Sequence, residues 1–237
     1  MKENRFIMTL GDRKIEMWLH RPQTIASGSG MVFGYKKTKN FLKIIGVDEP
    51  TLVLDVGANV GIYAVAYAMA WPKAKILAIE PIPGNLELLR KNTAPFPNIE
   101  ILPVAASDKA GTVTMQMPTP EQLPVHLGID ERTDFDIMSI HGLSGRYKQE
   151  VECVTLDEIV GSDPVGLLKI DVEAHEYYVL KGADSILNNQ RPGVFLEVVP
   201  ENQKMSGHSM EELFLLMASY RYAYMTSSHI NQLFRPA

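Results

Sequence analysis

The residues best placed to do chemistry fall in two short stretches. In LVLDVGANVG, residues 52–61, an apolar run ends at Asp55 and the chain passes through Gly57, Asn59 and Gly61 before helix-favouring residues begin. Glycine at such a bend permits a tight turn and lets a ligand approach the backbone with no Cβ in the way. The helix that follows presents unpaired N–H groups. The next apolar run, KILAIE, ends in Glu80, 19 residues beyond Gly61. An acid at that distance is placed to accept hydrogen bonds from the two hydroxyls of a ribose. The second stretch, LLKIDVEAHE, sets Lys169, Asp171 and Glu173 at alternating positions, with His175 two residues on. In a strand those three charges share one face, with Ile170 and Val172 on the other. Charges at the end of a buried strand need partners or water, and Glu197 near the end of VFLEVV is a candidate neighbour.

The first stretch narrows its ligand. A dinucleotide fingerprint needs G-x-G-x-x-G, and position 59 is Asn; nor is there a G-x-x-x-x-G-K-[ST] string for a mononucleotide phosphate. Asp55, two residues before the first glycine, is a poor neighbour for a pyrophosphate. It suits a ligand bearing an ammonium and a sulfonium, which describes S-adenosylmethionine.

These residues need a sheet to position them. TLVLDV, KILAIE, NIEILPVAAS, GLLKIDVE and VFLEVV read as strands. They alternate with helical stretches: IYAVAYAMAW, then NLELLRKNTA with Leu86, Leu89 and Arg90 spaced for a one-sided apolar face, then roughly His175 to Asn189. Apolar strands alternating with helices predict an α/β fold, a doubly wound and mostly parallel sheet covered on both faces. MEELFLLMASY is an amphipathic helix, and AYMTS with NQLFR predicts an antiparallel C-terminal hairpin on the sheet edge. At the other end, FIMTL and KIEMWL flank Gly11-Asp12-Arg13 and predict a hairpin. The hairpin and a linker rich in Gly, Ser and Lys make residues 1–40 a small N-terminal extension to a main domain at 41–237. The proline-bearing stretch at about 115–149 predicts a lid or substrate-binding loop.

The chain resembles the FkbM-type methyltransferases. LVLDVGANVGIYA is similar to that family's cofactor motif, and AIEPIPGNLELLRKN, VAASDKAGTVTM, VTLDEI, LLKIDVEAHEYYVLKGA and FLEVVPEN resemble its further motifs in order. These run from Leu52 to Asn202, roughly two thirds of the chain. Ala174 departs where the family usually has glycine, which leads us to expect tight packing there. The resemblance implies a Rossmann-like class I methyltransferase with S-adenosylmethionine as cofactor, methylating oxygen. It implies cofactor roles for Asp55, Gly57, Asn59, Gly61 and Glu80, and by analogy it sets Ser107 and Asp108 beside the adenine. The expected acceptor is a hydroxyl of a sugar, glycan or glycosylated compound. A polyketide-type hydroxyl is the alternative, as is a noncatalytic cofactor-binding module. Methylating an alcohol requires in-line alignment and a proton acceptor. Asp171 and Glu173 are expected to hold the hydroxyl, with His175 or one of those carboxylates as base and Lys169 neutralising the acids. A rival reading gives Asp171, Glu173 and Glu197 to Mg²⁺; the favoured reading has no metal ligands.

Composition sets the limits. With 46% hydrophobic and 22% charged residues, the 237-residue chain reads as an ordinary globular protein. A net charge of −5 and no basic stripe argue against broad nucleic-acid binding. Cys153, the sole cysteine, reads as a buried strand residue. The most apolar run, Ile62 to Trp71, is far shorter than the ~20 residues of a membrane span. The N-terminus lacks a secretory plan, so a cytoplasmic protein is expected, with a homodimer open.

Overall fold

A computed structural model describes residues 4–10, 13–19, 49–116, 148–200, 203, 206–228 and 230–237. Strands β3 (Leu52–Val56), β4 (Lys75–Ile79), β5 (Ile99–Leu102), β9 (Val165–Ile170) and β10 (Gly193–Glu197) run parallel. β12 (Asn231–Pro236) adds antiparallel to β10, and β11 (Tyr222–Ser228) pairs antiparallel with β12. The sheet order is β11-β12-β10-β9-β3-β4-β5. Chain order runs outward from β3 through β4 to β5 on one side, and from β9 through β10 to the β11–β12 hairpin on the other. β3 and β9 therefore form the switch point, and a ligand crevice opens beyond their C-terminal ends.

The pleat decides what each face buries. Leu52, Leu54, Val56, Leu168, Ile170, Val194 and Leu196 belong to one core, which also takes in Leu213 and Met217 of α5 (Met210–Ser219). Val53, Ile76, Ala78, Leu167 and Phe195 point the other way, against Ala64, Tyr67 and Ala68 of α1 (Ile62–Ala70) and against Leu86 and Leu89 of α2 (Pro83–Thr93). The expected doubly wound sheet with an antiparallel C-terminal hairpin is the observed one.

Several boundaries differ from expectation. NIEILPVAAS is not one strand: β5 ends at Leu102, and Pro103 has no N–H to continue the ladder. The chain resumes as β6 (Ala105–Ala106), which joins a separate small sheet with β8 (Lys148–Val154) and β7 (Gly111–Gln116) in the order β6-β8-β7. Cys153 is buried in β8. The helix expected from His175 to Asn189 is broken. α4 (Glu176–Lys181) stops at Gly182, where an added Cβ would lie 1.9 Å from the Ser107 carbonyl oxygen. A π-helical turn at Ile186–Gln190 follows, started by Asp157 of α3 (Leu156–Val160), whose carboxylate accepts from the Ser185 and Ile186 amides. Residues 117–147, most of the expected lid, lie outside the described residues, as does the linker after Leu19. Among the described residues, no helix is long and apolar enough to cross a membrane.

The N-terminal strands β1 (Asn4–Leu10) and β2 (Arg13–Leu19) pair antiparallel. Met8 and Met17 pack against Val65 and Met69 of α1. One side chain fixes the docking. Asn92 of α2 accepts from the Trp18 amide at 2.7 Å and donates both to the Trp18 carbonyl at 2.9 Å and to the Val60 carbonyl at 2.7 Å. The hairpin is thereby tied to the loop that follows β3. Asn92→Ala strands three backbone groups, and we expect it to cost roughly 2–3 kcal/mol in urea unfolding. A loss below about 0.5 kcal/mol would mean that water replaces these bonds freely.

Candidate active site

The site is built on two tight passages of backbone. Gly57, just past β3, has φ +75°, and an added Cβ would lie 1.7 Å from the Asp171 carbonyl oxygen. Any side chain there would push the loops after β3 and β9 apart. Gly61, at φ +88°, starts α1 and sits against Leu89. Beyond β9 the chain leaves the strand at Ile170, although the Asp171 amide still donates to the Val56 carbonyl. Glu173 and Ala174 then adopt φ +53° and +77°. The alternation expected through Lys169, Asp171 and Glu173 therefore holds for the first two residues and ends in a left-handed turn. Glycine is favoured at position 174 by that backbone conformation, in addition to the tight packing expected of a residue as buried as Ala174.

A cavity opens over these ends. Ile82, Ala105, Ala106 and Met115 give it an apolar wall, Glu80 stands midway, and Gly57, Asn59, Asp171, Glu173 and His175 line the polar end. Glu80 is fixed by its acceptor bonds. Oε2 takes the Asn59 amide at 2.8 Å; Oε1 takes the Ile82 amide at 2.9 Å and the Asn85 side chain at 3.2 Å. Burial pushes its carboxyl up to about 7, against the pull of these bonds. A carboxylate oxygen has more than one acceptor site, so Oε2 retains capacity for a ribose hydroxyl. An apolar wall, a carboxylate and an acidic end fit the adenine, ribose and cationic centres of S-adenosylmethionine.

Asp55 and Lys169 lie outside the cavity lining and pair with each other. The Lys169 ammonium is 3.1 Å from Asp55 and 3.4 Å from Asp171, with side-chain exposures of 1%, 0% and 27% respectively. It also meets the Gly57 carbonyl at 3.4 Å and lies 4.7 Å over the Tyr63 ring. Burial opposes its charge, but the two carboxylates outweigh burial and hold it well above the usual lysine range. Burial raises the Asp55 carboxyl, and Lys169 pulls it back.

Two further acids frame the polar end. Buried Glu176 accepts from the Val172 amide at 3.2 Å and from Gln203 at 2.7 Å; burial pushes it up to about 7. Glu197 ends β10 and is pushed up to about 8, by burial first and then by the Asp171 carboxylate. His175 lines the cavity with Nε2 2.8 Å from Ser107 Oγ, and its ring stacks on Tyr178 at 4.8 Å. Ser107 Oγ donates in turn to Asp108 at 3.2 Å. Ser107 Oγ thus bridges His175 and Asp108. Ser107 and Asp108 are not in the cavity lining. Among the described residues no group of three His, Cys, Asp or Glu side chains could hold a metal ion, so Asp171, Glu173 and Glu197 do not form the ligand set weighed above.

Asn85, Glu176 and Gln203 are positioning residues that sequence reasoning missed. The first two fall inside quoted motifs, whereas Gln203 gives no sequence signal. The buried pair yields a prediction. Lys169→Met leaves Asp55 buried and uncompensated, and we expect a loss of about 3–5 kcal/mol in urea unfolding. Adding Asp55→Asn should restore at least half of it, and a double variant no better than the single one would contradict the pairing.

Comparison with known proteins identifies the family. Residues 55–224 match the family described as the methyltransferase FkbM domain. Methyltransferase sdnD of Sordaria araneosa is 28% identical over 177 residues, covering 64% of this chain and 68% of that one. Hexuronic acid methyltransferase AglP of Haloferax volcanii is 27% identical over 146 residues, covering 60% and 54%. The 31-O-demethyl-FK506 methyltransferase FkbM of Streptomyces tacrolimicus is 29% identical over 154 residues, covering 56% and 59%. The chain thus spans a little over half the length of the last two. A putative caffeoyl-CoA O-methyltransferase from Staphylococcus aureus shares the fold, with a TM-score of 0.51, 11% identity and coverage of 86% and 83%. The family match extends over most of the chain and contains every site residue named above, so the chain belongs to the FkbM methyltransferase family.

Proposed function

We propose that the chain is an S-adenosylmethionine-dependent O-methyltransferase acting on a sugar-type hydroxyl. The observation that carries this reading is one cavity joining an apolar wall, the Glu80 carboxylate and the acidic turn that follows β9. When bound, the cofactor supplies an electrophilic methyl group. Glu80 accepts the ribose hydroxyls, and the apolar wall takes the adenine. Asp171 lines the cavity and accepts a hydrogen bond from a neighbouring hydroxyl of the acceptor, orienting the molecule. Lys169 pairs with Asp171 at 3.4 Å and holds it in place. His175 has Nε2 committed to Ser107, which suits a positioning role better than that of base.

A polar, acidic end favours an acceptor rich in hydroxyls over a flat aromatic one. One relative points the same way, since it is named for hexuronic acid. A polyketide-type alcohol is the second reading, favoured by the relative named for 31-O-demethyl-FK506.

Calorimetry tests the cofactor. The protein should bind S-adenosylmethionine and S-adenosylhomocysteine, and Glu80→Ala should weaken both by about 10- to 100-fold, the worth of hydrogen bonds to a charged group. Protonation of Glu80 removes the charged acceptor. Affinity for S-adenosylhomocysteine should therefore fall as pH drops through about 7, and Glu80→Gln should flatten that slope. A folded protein that binds neither compound would end this reading.

Methyl-labelled cofactor with a panel of methyl glucoside, glucuronic acid and trans-1,2-cyclohexanediol tests the acceptor. Label in the sugars supports the proposal, and label in the diol alone favours the polyketide-type reading. Asp171→Asn should cut kcat by about 100-fold with cofactor binding intact. Turnover within a few-fold of wild type would remove that role.

A further inference from the structure

A base is still needed for the acceptor hydroxyl, and the commitments of the other acids single one out. Asp55 and Asp171 are held by Lys169. Glu80 is held by two backbone amides and Asn85, and Glu176 by the Val172 amide and Gln203. His175 is held by Ser107, and Glu173, in the left-handed turn after β9, has an interaction of its own. Glu197 differs, because among the described residues no hydrogen bond or ion pair ties down its carboxyl.

Register places it. Asp55 and Phe195 both stand opposite Lys169, on the strands to either side. Two residues further along, Asp171 and Glu197 therefore project on the same face from the C-terminal ends of adjacent strands. Tyr63 of α1 packs edge-on against Phe195 at 5.8 Å and covers that face from above. Asp171 lines the cavity, and Glu197 is half-buried one strand further out.

We propose that Glu197 takes the proton from the acceptor hydroxyl during methyl transfer. The proposal rests on the O-methyltransferase reading. The hydroxyl O–H bond breaks and its proton passes to the Glu197 carboxylate. The oxygen bonds to the methyl carbon as the carbon–sulfur bond of the donor breaks, and that electron pair stays on sulfur as a neutral thioether. Glu197 then gives its proton to water.

The surroundings suit that task. Asp171 and Lys169 face Glu197 from β9, Glu176 from α4 and Tyr63 from α1, with Asn231 in register on β12. Burial and the two carboxylates hold the Glu197 carboxyl up to about 8 against the pull of Lys169, close to where a general base works best. A bound sulfonium adds a positive charge near this carboxyl and favours its ionised form, so donor binding readies the base.

Calorimetry at pH 7 in buffers of different ionisation enthalpy reads this directly. S-adenosylmethionine should release more protons on binding than neutral S-adenosylhomocysteine, by a sizeable fraction of one proton. Glu197→Gln should bind S-adenosylhomocysteine as wild type does, which shows an intact site, while the difference between the two compounds disappears. A difference that persists in Glu197→Gln, or equal release by both compounds in wild type, overturns the assignment. Binding of neither compound overturns the methyltransferase reading beneath it. With any acceptor methylated in the panel, Glu197→Gln should lower kcat by about 100-fold or more. A kcat within a few-fold of wild type contradicts the proposal.

Discussion

A single buried ammonium organises this site. Lys169 sits at the switch point of the sheet, bridging the end of β3 through Asp55 and the start of the next loop through Asp171. Its contact with the Gly57 carbonyl fixes the turn that follows β3 as well. An unpaired ammonium at 1% exposure would be very costly, and so would Asp55 alone at full burial. Each therefore requires the other, and the two central strands are held in register where the ligand must sit. The charge count has a second effect. Burial lifts the carboxyls of Glu80, Glu176 and Glu197 toward neutral pH, and the one cation, shared by two other carboxylates at close range, does not reverse it. The cavity is an acidic enclosure that a cationic ligand completes.

The loop after β9 shows how much backbone constraint this takes. Gly57 lets the Asp171 carbonyl pass where a Cβ would collide. Glu176 reaches back to the Val172 amide, and Ser107 holds His175. Between these ties, Glu173 and Ala174 stay in the left-handed region, which costs an L-residue about 1–2 kcal/mol each. Such conformations persist only where the surroundings over-determine them. Here three separate anchors do so, and they deliver Asp171, Glu173 and His175 to one wall of the cavity.

What could be read in the sequence was what local chemistry enforces. The strand–glycine–helix passage at 52–61 and Glu80 at the end of the next strand were legible because their residue types follow from the turn and the burial. The sheet was legible because apolar runs alternate with helices. The direction in which Asp55 points was not. Its type suggested a cation in the cavity, and only register shows that the cation is Lys169, 114 positions away. The end of β9 was hidden too, because charged residues continue the strand's alternation past the point where the backbone turns. Asn92 reads as an ordinary polar position in a helix, yet it satisfies three backbone groups of two distant segments. Gly182 reads as part of a helix and is instead the point where the Ser107 carbonyl passes.

An acidic enclosure also poses a problem that constrains the chemistry. Negative surroundings stabilise a sulfonium, yet methyl transfer turns that sulfonium into a neutral sulfide. A site built only to hold the cation would stabilise the reactant more than the transition state and slow the reaction. Moving the acceptor's proton onto Glu197 resolves this. The positive charge lost at sulfur reappears as a proton on a carboxylate within the same enclosure, so the net charge held by the site does not change. In a low-dielectric interior, where uncompensated charge is expensive, a charge-conserving path is favoured over one that leaves an extra anion behind. The buried lysine, the excess of acids around it and an uncommitted carboxyl at the neighbouring strand end then serve one requirement: to bind a cation tightly without penalising its disappearance.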